Sequence, residues 1–396
     1  MFETIQPATP DAILGLNDAF NKDARPGKVN LGVGVYKDAS GKTPILACVK
    51  EAERRLIETE ATKSYKPIDG DPVFGACVQR MLFGADSPIV TGRRAATSHC
   101  PGGTGALRVA GDYLSGNHPG ATLWLSDETW PNHPAVFGAA GLAMKRYPYF
   151  DAKTNALDFD AMLDGLSKAT AGDVVLLHGC CHNPTGVDLS TEQWTKVAEF
   201  CADKGLLPLL DFAYQGFAEG IEEDAAGLRA LAGKVDELIV CGSFSKNFGL
   251  YNERVGSLTF VAKTPDAAAA VQSQVKSCIR RNYSNPPAHG AAVVTTILND
   301  AALAAQWHGE LAEMRDRING IRSLFVNTLA AKGANRDFSF ITRQRGMFSY
   351  SGLEKDQVAQ LRDKHGVYIV GSGRINVAGM SEASMDSLCE AIVDVL

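Results

Sequence analysis

The sequence predicts an α/β protein built on a mostly parallel sheet covered by helices. Apolar runs at Thr122–Leu125, Val174–Leu177, Leu206–Leu210 and Leu238–Cys241 lack the polar alternation of a half-exposed strand, so both faces must be covered. Helical stretches separate these runs, the pattern expected of crossover connections. Trp130, Asn183, Asp211, Tyr214 and Lys246 follow at or just beyond the carboxyl ends of the runs, where ligands bind in open α/β sheets.

The elements follow in order. Residues 1–11 hold Pro7 and Pro10 without a helical period and read as an arm. Ile13, Leu14, Leu16 and Phe20 give a short helix from Asp11 to Phe20. Val29–Tyr36 reads as a strand broken by Gly32 and Gly34, which let backbone approach a ligand closely. Gly41-Lys42-Thr43 hints at a phosphate loop, but Tyr36 stands where the leading glycine should be, and the motif is set aside. Pro44–Glu60 and Pro72–Phe83 read as helices flanking a loop, Ser64–Gly70, that presents Tyr65. His99–Gly105 reads as a Gly/Thr loop opening the helix Ala106–Leu114, and free N–H groups at such a start favour an anion.

Ser190 and Gln193 form a capping box, Trp194, Val197, Ala198 and Cys201 mark one helical face, and Gly205 ends that helix. Arg254–Val261 is a further strand. Ile279–Pro287 is a basic, turn-rich break before the helix Ala291–Leu298, and Trp307–Leu329 reads as one long amphipathic helix. Residues 338–396 alternate strands and helices again.

Composition narrows the function. The chain has 396 residues, 45% hydrophobic and 21% charged, enough for two domains and a large core. Net charge is -6 with no basic block, so no nucleic-acid partner is expected. Nine cysteines without CxxC spacing point to a reduced, cytoplasmic compartment. No secretory leader is expected, and the apolar runs are too short to span a bilayer. His178, Cys180, Cys181 and His182 raise the question of a metal. Strand alternation would point Cys181 away from His178 and Cys180, and no second ligand cluster is visible, so no metal is expected.

The chemistry centres on Ser243-Phe-Ser-Lys-Asn-Phe-Gly249. Lys246 leaves a buried strand among small polar residues. Alone it reads as a surface lysine; in a pocket with a lowered pKa it is an amine that forms a Schiff base with a carbonyl. Ser243, Ser245 and Arg254 can bind a phosphate, and Asp211 and Tyr214 supply an acid and a phenol. An amine, a phosphate clamp, an acid and a phenol are what pyridoxal phosphate needs. Arg374, between glycines and an apolar strand, is suited to a carboxylate, as the guanidinium fork matches one.

With these motifs in place the chain resembles the class I aminotransferases, pyridoxal-phosphate enzymes of fold type I, close to the bacterial aspartate and aromatic amino acid branches. Asn183-Pro-Thr-Gly186, Asp211-Phe-Ala-Tyr214, Ser243–Gly249, Arg254-Val-Gly256 and Ser284-Asn-Pro-Pro287 stand in family order, and the resemblance covers essentially the whole chain. It implies a large domain at 44–299 around a mostly parallel seven-stranded sheet. It also implies a small α/β domain from 12–43 and 300–396, with a long interdomain helix at about 304–331, and an arm at 1–11.

The resemblance further implies that Lys246 carries the cofactor and shuttles the proton. Asp211 would pair with the ring nitrogen, with His133 and His178 behind it. Tyr214 and Asn183 would bond the 3′-oxygen and keep the Schiff-base pKa low, and Trp130 would stack on the ring. Gly103, Thr104, Ser243, Ser245 and Arg254 would take the phosphate, with Tyr65 reaching it from the other subunit of a homodimer. Arg374, helped by Asn183 and the Gly34 backbone, would clamp the substrate α-carboxylate. Arg280 of the other subunit would bind the distal carboxylate of aspartate or glutamate. Val35, Lys37, Thr43, Thr104 and Asn285 match the aspartate type; Ser64 departs from its asparagine, and Arg281 adds a charge beside Arg280. The activity implied is transamination between aspartate, with aromatic amino acids, and 2-oxoglutarate; an aromatic aminotransferase is the alternative. A pyridoxal-phosphate β-lyase or decarboxylase and a non-catalytic phosphate-binding module compete with it.

Overall fold

The computed structural model describes residues 1–7 and 14–396. The expectations for the rest of the arm and the start of the first helix fall on residues 8–13, outside the described residues. Residues 1–7 are exposed, with a single 3-10 turn at Phe2–Thr4, and the described part of the first helix is Leu14–Lys22.

The chain forms two compact units. The larger comprises Pro44–Asn183 and Val187–Asp316. Its seven-stranded sheet contains β1 (Ala95–Pro101), β2 (Thr122–Ser126), β3 (Ala143–Tyr147), β4 (Val174–His178), β5 (Leu207–Phe212), β6 (Leu238–Ser243) and β7 (Val255–Val261). The order across the sheet is β1-β7-β6-β5-β4-β2-β3. Five strands from β6 to β3 run parallel, while β7 is antiparallel to both β6 and β1. Every residue of β4, β6 and β7 is buried, which explains the apolar runs Val174–Leu177 in β4 and Leu238–Cys241 in β6.

Local signals set several helices. In Thr191–Lys204, Ser190 and Gln193 form the capping box, Trp194, Val197, Ala198 and Cys201 are the buried face, and Gly205 closes the helix in the left-handed conformation. Pro72–Phe83 begins with Asp71 capping the N–H of Val73. The helix Pro44–Glu60 is confined to Ala47–Thr59. Two expectations are corrected. Gly102–Gly105 is no loop before a helix but the first turn of Gly102–Asn117, entered directly from β1. Val29–Tyr36 shrinks to a strand at Val29–Asn30, because the carbonyls of Gly32, Val33 and Val35 accept from the Arg374 and Asn376 side chains instead of a neighbouring strand.

The smaller unit comprises Met1–Thr43, Pro184–Gly186 and Arg317–Leu396. Val29–Asn30 pairs in parallel with Val367–Tyr368, and Phe348–Tyr350 pairs antiparallel with Arg374–Asn376. Buried Arg322 donates to the carbonyls of Gly346 at 2.5 Å and Phe348 at 2.9 Å, fixing the strand that faces Arg374. The long helix is Ala301–Ala331, and its residues through Asp316 belong to the larger unit. Trp307 anchors that portion, stacking on Phe248 at 4.3 Å and donating to the Asn247 carbonyl at 2.7 Å. Among the described residues no helix is long and apolar enough to cross a membrane.

Candidate active site

Strand register assembles the site. His178 stands beside Asp211, Phe212 beside Gly242, Gly256 beside Ser243, and Val255 beside Pro101. One rim of the sheet therefore carries the ends of β4, β5 and β6, the start of β7 just after Arg254, and the end of β1 just before the helix Gly102–Asn117.

Asp211, buried at that rim, lies 2.9 Å from His133 Nε2. Burial opposes its ionisation, but the hydrogen bond from His133 and the charges of His133, His178 and Lys246 outweigh it and hold the carboxyl below its usual range. Thr129 Oγ1 lies 2.7 Å from His133 Nδ1 and 3.3 Å from His178 Nε2, linking the two rings. Burial, together with the charge of His133, lowers the His178 pKa to about 3 against the pull of Asp211.

Lys246 is half-buried, its Nζ 4.6 Å from the centre of the Tyr214 ring. Burial lowers its pKa, Arg254 adds to that, Asp211 opposes it, and the outcome is about 8. Asn183 Nδ2 lies 3.5 Å from the Tyr214 hydroxyl, and both side chains are buried. Trp130 is half-buried and meets His133 edge to face at 5.3 Å.

A second group forms where the helix Gly102–Asn117 begins. Ser243 and Ser245 hydroxyls are 3.2 Å apart, and Arg254 Nη1 donates to Ser245 Oγ at 3.2 Å. A methyl added at Gly102 would come within 2.2 Å of Arg254 Nη2, and one at Gly103 within 3.2 Å of Ser243 Cβ. The helix start, with Thr104 in its first turn, thus faces two hydroxyls and a guanidinium, and its free N–H groups add to them.

The remaining residues lie elsewhere. Arg374 is buried in the smaller unit, donating to the Gly32 carbonyl at 2.6 Å, with its guanidinium 4.2 Å from the centre of the Phe348 ring. A methyl at Gly34 would come within 2.5 Å of the same ring, so Phe348 packs on both. Tyr65 is 92% exposed, and Arg280, exposed near the end of the helix Pro265–Asn282, bonds to Ser284.

The sequence did not single out Thr129, Phe348, Asn376 or Asp188. Thr129 had a signal, its place four residues before His133; Phe348 and Asn376 had none. The strand alternation expected for Cys180 and Cys181 is overturned. Both lie beyond β4, Cys181 takes φ 52°, and their sulfurs and an Asp224 oxygen come within 4.8 Å of one another. Asp224 is already engaged, accepting backbone N–H groups from Gly216, Ala218, Glu219 and Gly220. Its role is to hold that turn.

An amine poised near neutrality, a histidine-backed carboxylate and an anion cradle on a covered α/β sheet define an enzyme of phosphorylated-cofactor chemistry. The chain belongs to the class I and II aminotransferases, pyridoxal-phosphate enzymes of fold type I: the sequence profile "Aminotransferase class I and II" matches residues 26–392. It is 60% identical over 396 residues to an aspartate aminotransferase of Salmonella typhi, covering 100% of both chains. It is 50% identical over 394 residues to an aromatic-amino-acid aminotransferase of Pseudomonas aeruginosa, covering 100% of this chain and 98% of the relative. Among solved structures it is similar to an aromatic-amino-acid aminotransferase from Burkholderia pseudomallei covalently bound to pyridoxal phosphate, with TM-score 0.97, 49% identity, and coverage of 100% and 99%.

The residues fit that cofactor. The glycines at 102 and 103 leave open a space that side chains would fill, ringed by donors suited to a phosphate. The buried carboxylate and the low-pKa amine are the partners that a cationic ring and an aldehyde require.

Proposed function

We propose that the protein transfers the amino group between L-aspartate and 2-oxoglutarate, giving oxaloacetate and L-glutamate, with aromatic amino acids as further donors. The observation that carries this reading is Lys246, an amine at pKa about 8 beside Tyr214 and within the field of Asp211. Pyridoxal phosphate, when bound, supplies an electron sink for the carbanion formed at substrate Cα. Lys246 is the group that takes the Cα proton and returns it, a task that requires an amine neutral for part of the time.

Asp211, kept ionised by its histidine and lysine neighbours, would hold the ring nitrogen in its protonated form. Tyr214 and Asn183 would bond the 3′-oxygen, and Trp130 would cover the ring face. Gly103, Thr104, Ser243, Ser245 and Arg254 would hold the phosphate. Arg374 is assigned to the substrate α-carboxylate, with Asn183 and the Gly34 backbone assisting. Its fork geometry suits that task.

The reading includes a cytoplasmic homodimer with shared sites. Tyr65 would reach the phosphate, and Arg280 the distal carboxylate, in the site of a second copy. The exposure of both side chains supports this, as do nine buried cysteines, none of them in a disulfide, for a reducing compartment. The aspartate preference draws support from the 60% relative against 50% for the aromatic one. A paired assay of aspartate and phenylalanine with 2-oxoglutarate tests it. Faster turnover of aspartate supports the reading; faster turnover of phenylalanine makes the aromatic activity the main one.

A further inference from the structure

The approach to Asn183 is built around a carboxylate. Past β4 the chain bends through Gly179–His182, and Cys181 at φ 52° occupies the left-handed region that residues with a Cβ seldom adopt. Two consecutive amides of this bend converge on Asp188. The Cys181 N–H donates to Oδ2 at 2.7 Å, and the His182 N–H donates to Oδ1 at 2.8 Å. Successive N–H groups around a left-handed residue form a concave nest for an anion. Here the chain's own carboxylate fills it, one acceptor oxygen to each amide.

The bend is braced on its other side. Tyr149 stacks on the His182 ring at 4.0 Å and 10°, and its hydroxyl donates to the Val187 carbonyl at 2.8 Å. The residue before Asn183 and the residue before Asp188 are thereby held by one side chain. Asn183 follows directly, with its N–H toward His178 Nδ1 at 3.4 Å and its Nδ2 toward the Tyr214 hydroxyl at 3.5 Å.

We propose that Asp188 is a positioning residue for the Asn183 amide: its carboxylate clamps the left-handed bend that aims Asn183 at the Tyr214 hydroxyl. Without the clamp, Cys181 relaxes toward an ordinary backbone conformation and the Asn183 side chain loses its aim. The proposal rests on the reading above in which Asn183 bonds the cofactor 3′-oxygen. That bond favours the deprotonated form of the Lys246 linkage, so weakening it raises the pH at which the linkage titrates.

The test is the pH midpoint of the visible absorption band of the substrate-free holoenzyme, measured with thermal melting for Asn183→Ala, Asp188→Asn and the double variant. Asn183→Ala is expected to raise the midpoint by roughly one pH unit, a tenfold change in proton affinity. Asp188→Asn is expected to raise it in the same direction and to add nothing in the Asn183→Ala background. A lower melting temperature with an unmoved midpoint in Asp188→Asn, while Asn183→Ala does move it, overturns the clamp alone. A full Asp188→Asn shift persisting in the Asn183→Ala background overturns it as well. An unmoved midpoint in Asn183→Ala overturns the reading of Asn183 and the clamp with it. If Asp188→Asn does not fold, Asp188→Glu, which keeps the charge but displaces it, undergoes the same comparison with a smaller expected shift.

Discussion

Asp211 and His133 meet through a 2.9 Å hydrogen bond in a place where neither is accessible to solvent to any useful extent. The carboxylate is ionised and accepts only, so the Nε2–H of His133 donates. Asp211 is the β5 partner of His178 on β4, while His133 begins the helix that follows the Trp130 loop. A strand and a separate crossover of the sheet thus converge on one charge, and that charge in turn stabilises the protonated form of Lys246 against burial.

His133→Ala tests this relationship through acid unfolding. A carboxyl whose folded pKa lies below its unfolded value contributes stability that is present above the unfolded value and is lost as pH falls through the folded one. Removing His133 raises the folded value, because burial is then less opposed. The variant should lose about 1.5–3 kcal/mol at neutral pH, with the gap narrowing in acid. Circular dichroism during acid titration reads this; parallel curves at every pH would contradict it.

Lys246 has the opposite sign. In the folded chain burial pulls its pKa down to about 8, from an ordinary value of 10.5. The folded state therefore binds fewer protons than the unfolded one in that window, and stability rises with pH across it. Apoenzyme carrying Lys246→Met should melt above the unaltered apoenzyme at pH 7, with the difference closing as pH climbs through 8 toward 10.5. A constant difference from pH 7 upward would show that the amine carries no buried charge.

Gly102→Ala tests the cradle. Gly102 has φ 74°, and a methyl there would strike the Arg254 guanidinium. The backbone cost is about 1–2 kcal/mol, and displacement of Arg254 adds a loss of anion affinity. Titration of apoenzyme with pyridoxal phosphate should show a dissociation constant raised at least about tenfold. An unchanged constant would place the phosphate elsewhere.

Arg280→Ala tests the reading of substrate choice. A charge-assisted hydrogen bond contributes about 1.5–3 kcal/mol, so aspartate should lose at least about tenfold in kcat/KM relative to phenylalanine. Equal losses on both substrates would remove Arg280 from the recognition of the second carboxylate.

Much of this was legible in the sequence wherever the signal is local. Ser190, Gln193 and Gly205 bracket a helix by capping alone, and the Val174–His178 strand shows its burial in its own letters. Asp211, Lys246 and Asn183 were singled out because strand ends are where such folds place ligands. What escaped depends on partners far away in the chain. The polar run Ala95–Pro101 is a strand only because β7 pairs with it, and Gly32 and Val33 leave the strand because Arg374 and Asn376, over 300 residues on, take their carbonyls. Asp188 was passed over because its amide partners become visible only when the bend at Cys181 is folded.

We propose that the cofactor is tethered to one amine, at Lys246. Holoenzyme reduced with borohydride, digested and analysed by mass spectrometry tests it directly. A single pyridoxyl adduct is expected on the peptide containing Lys246, and none in Lys246→Ala treated in the same way. An adduct on a different lysine, or equal labelling of the Lys246→Ala variant, would contradict it.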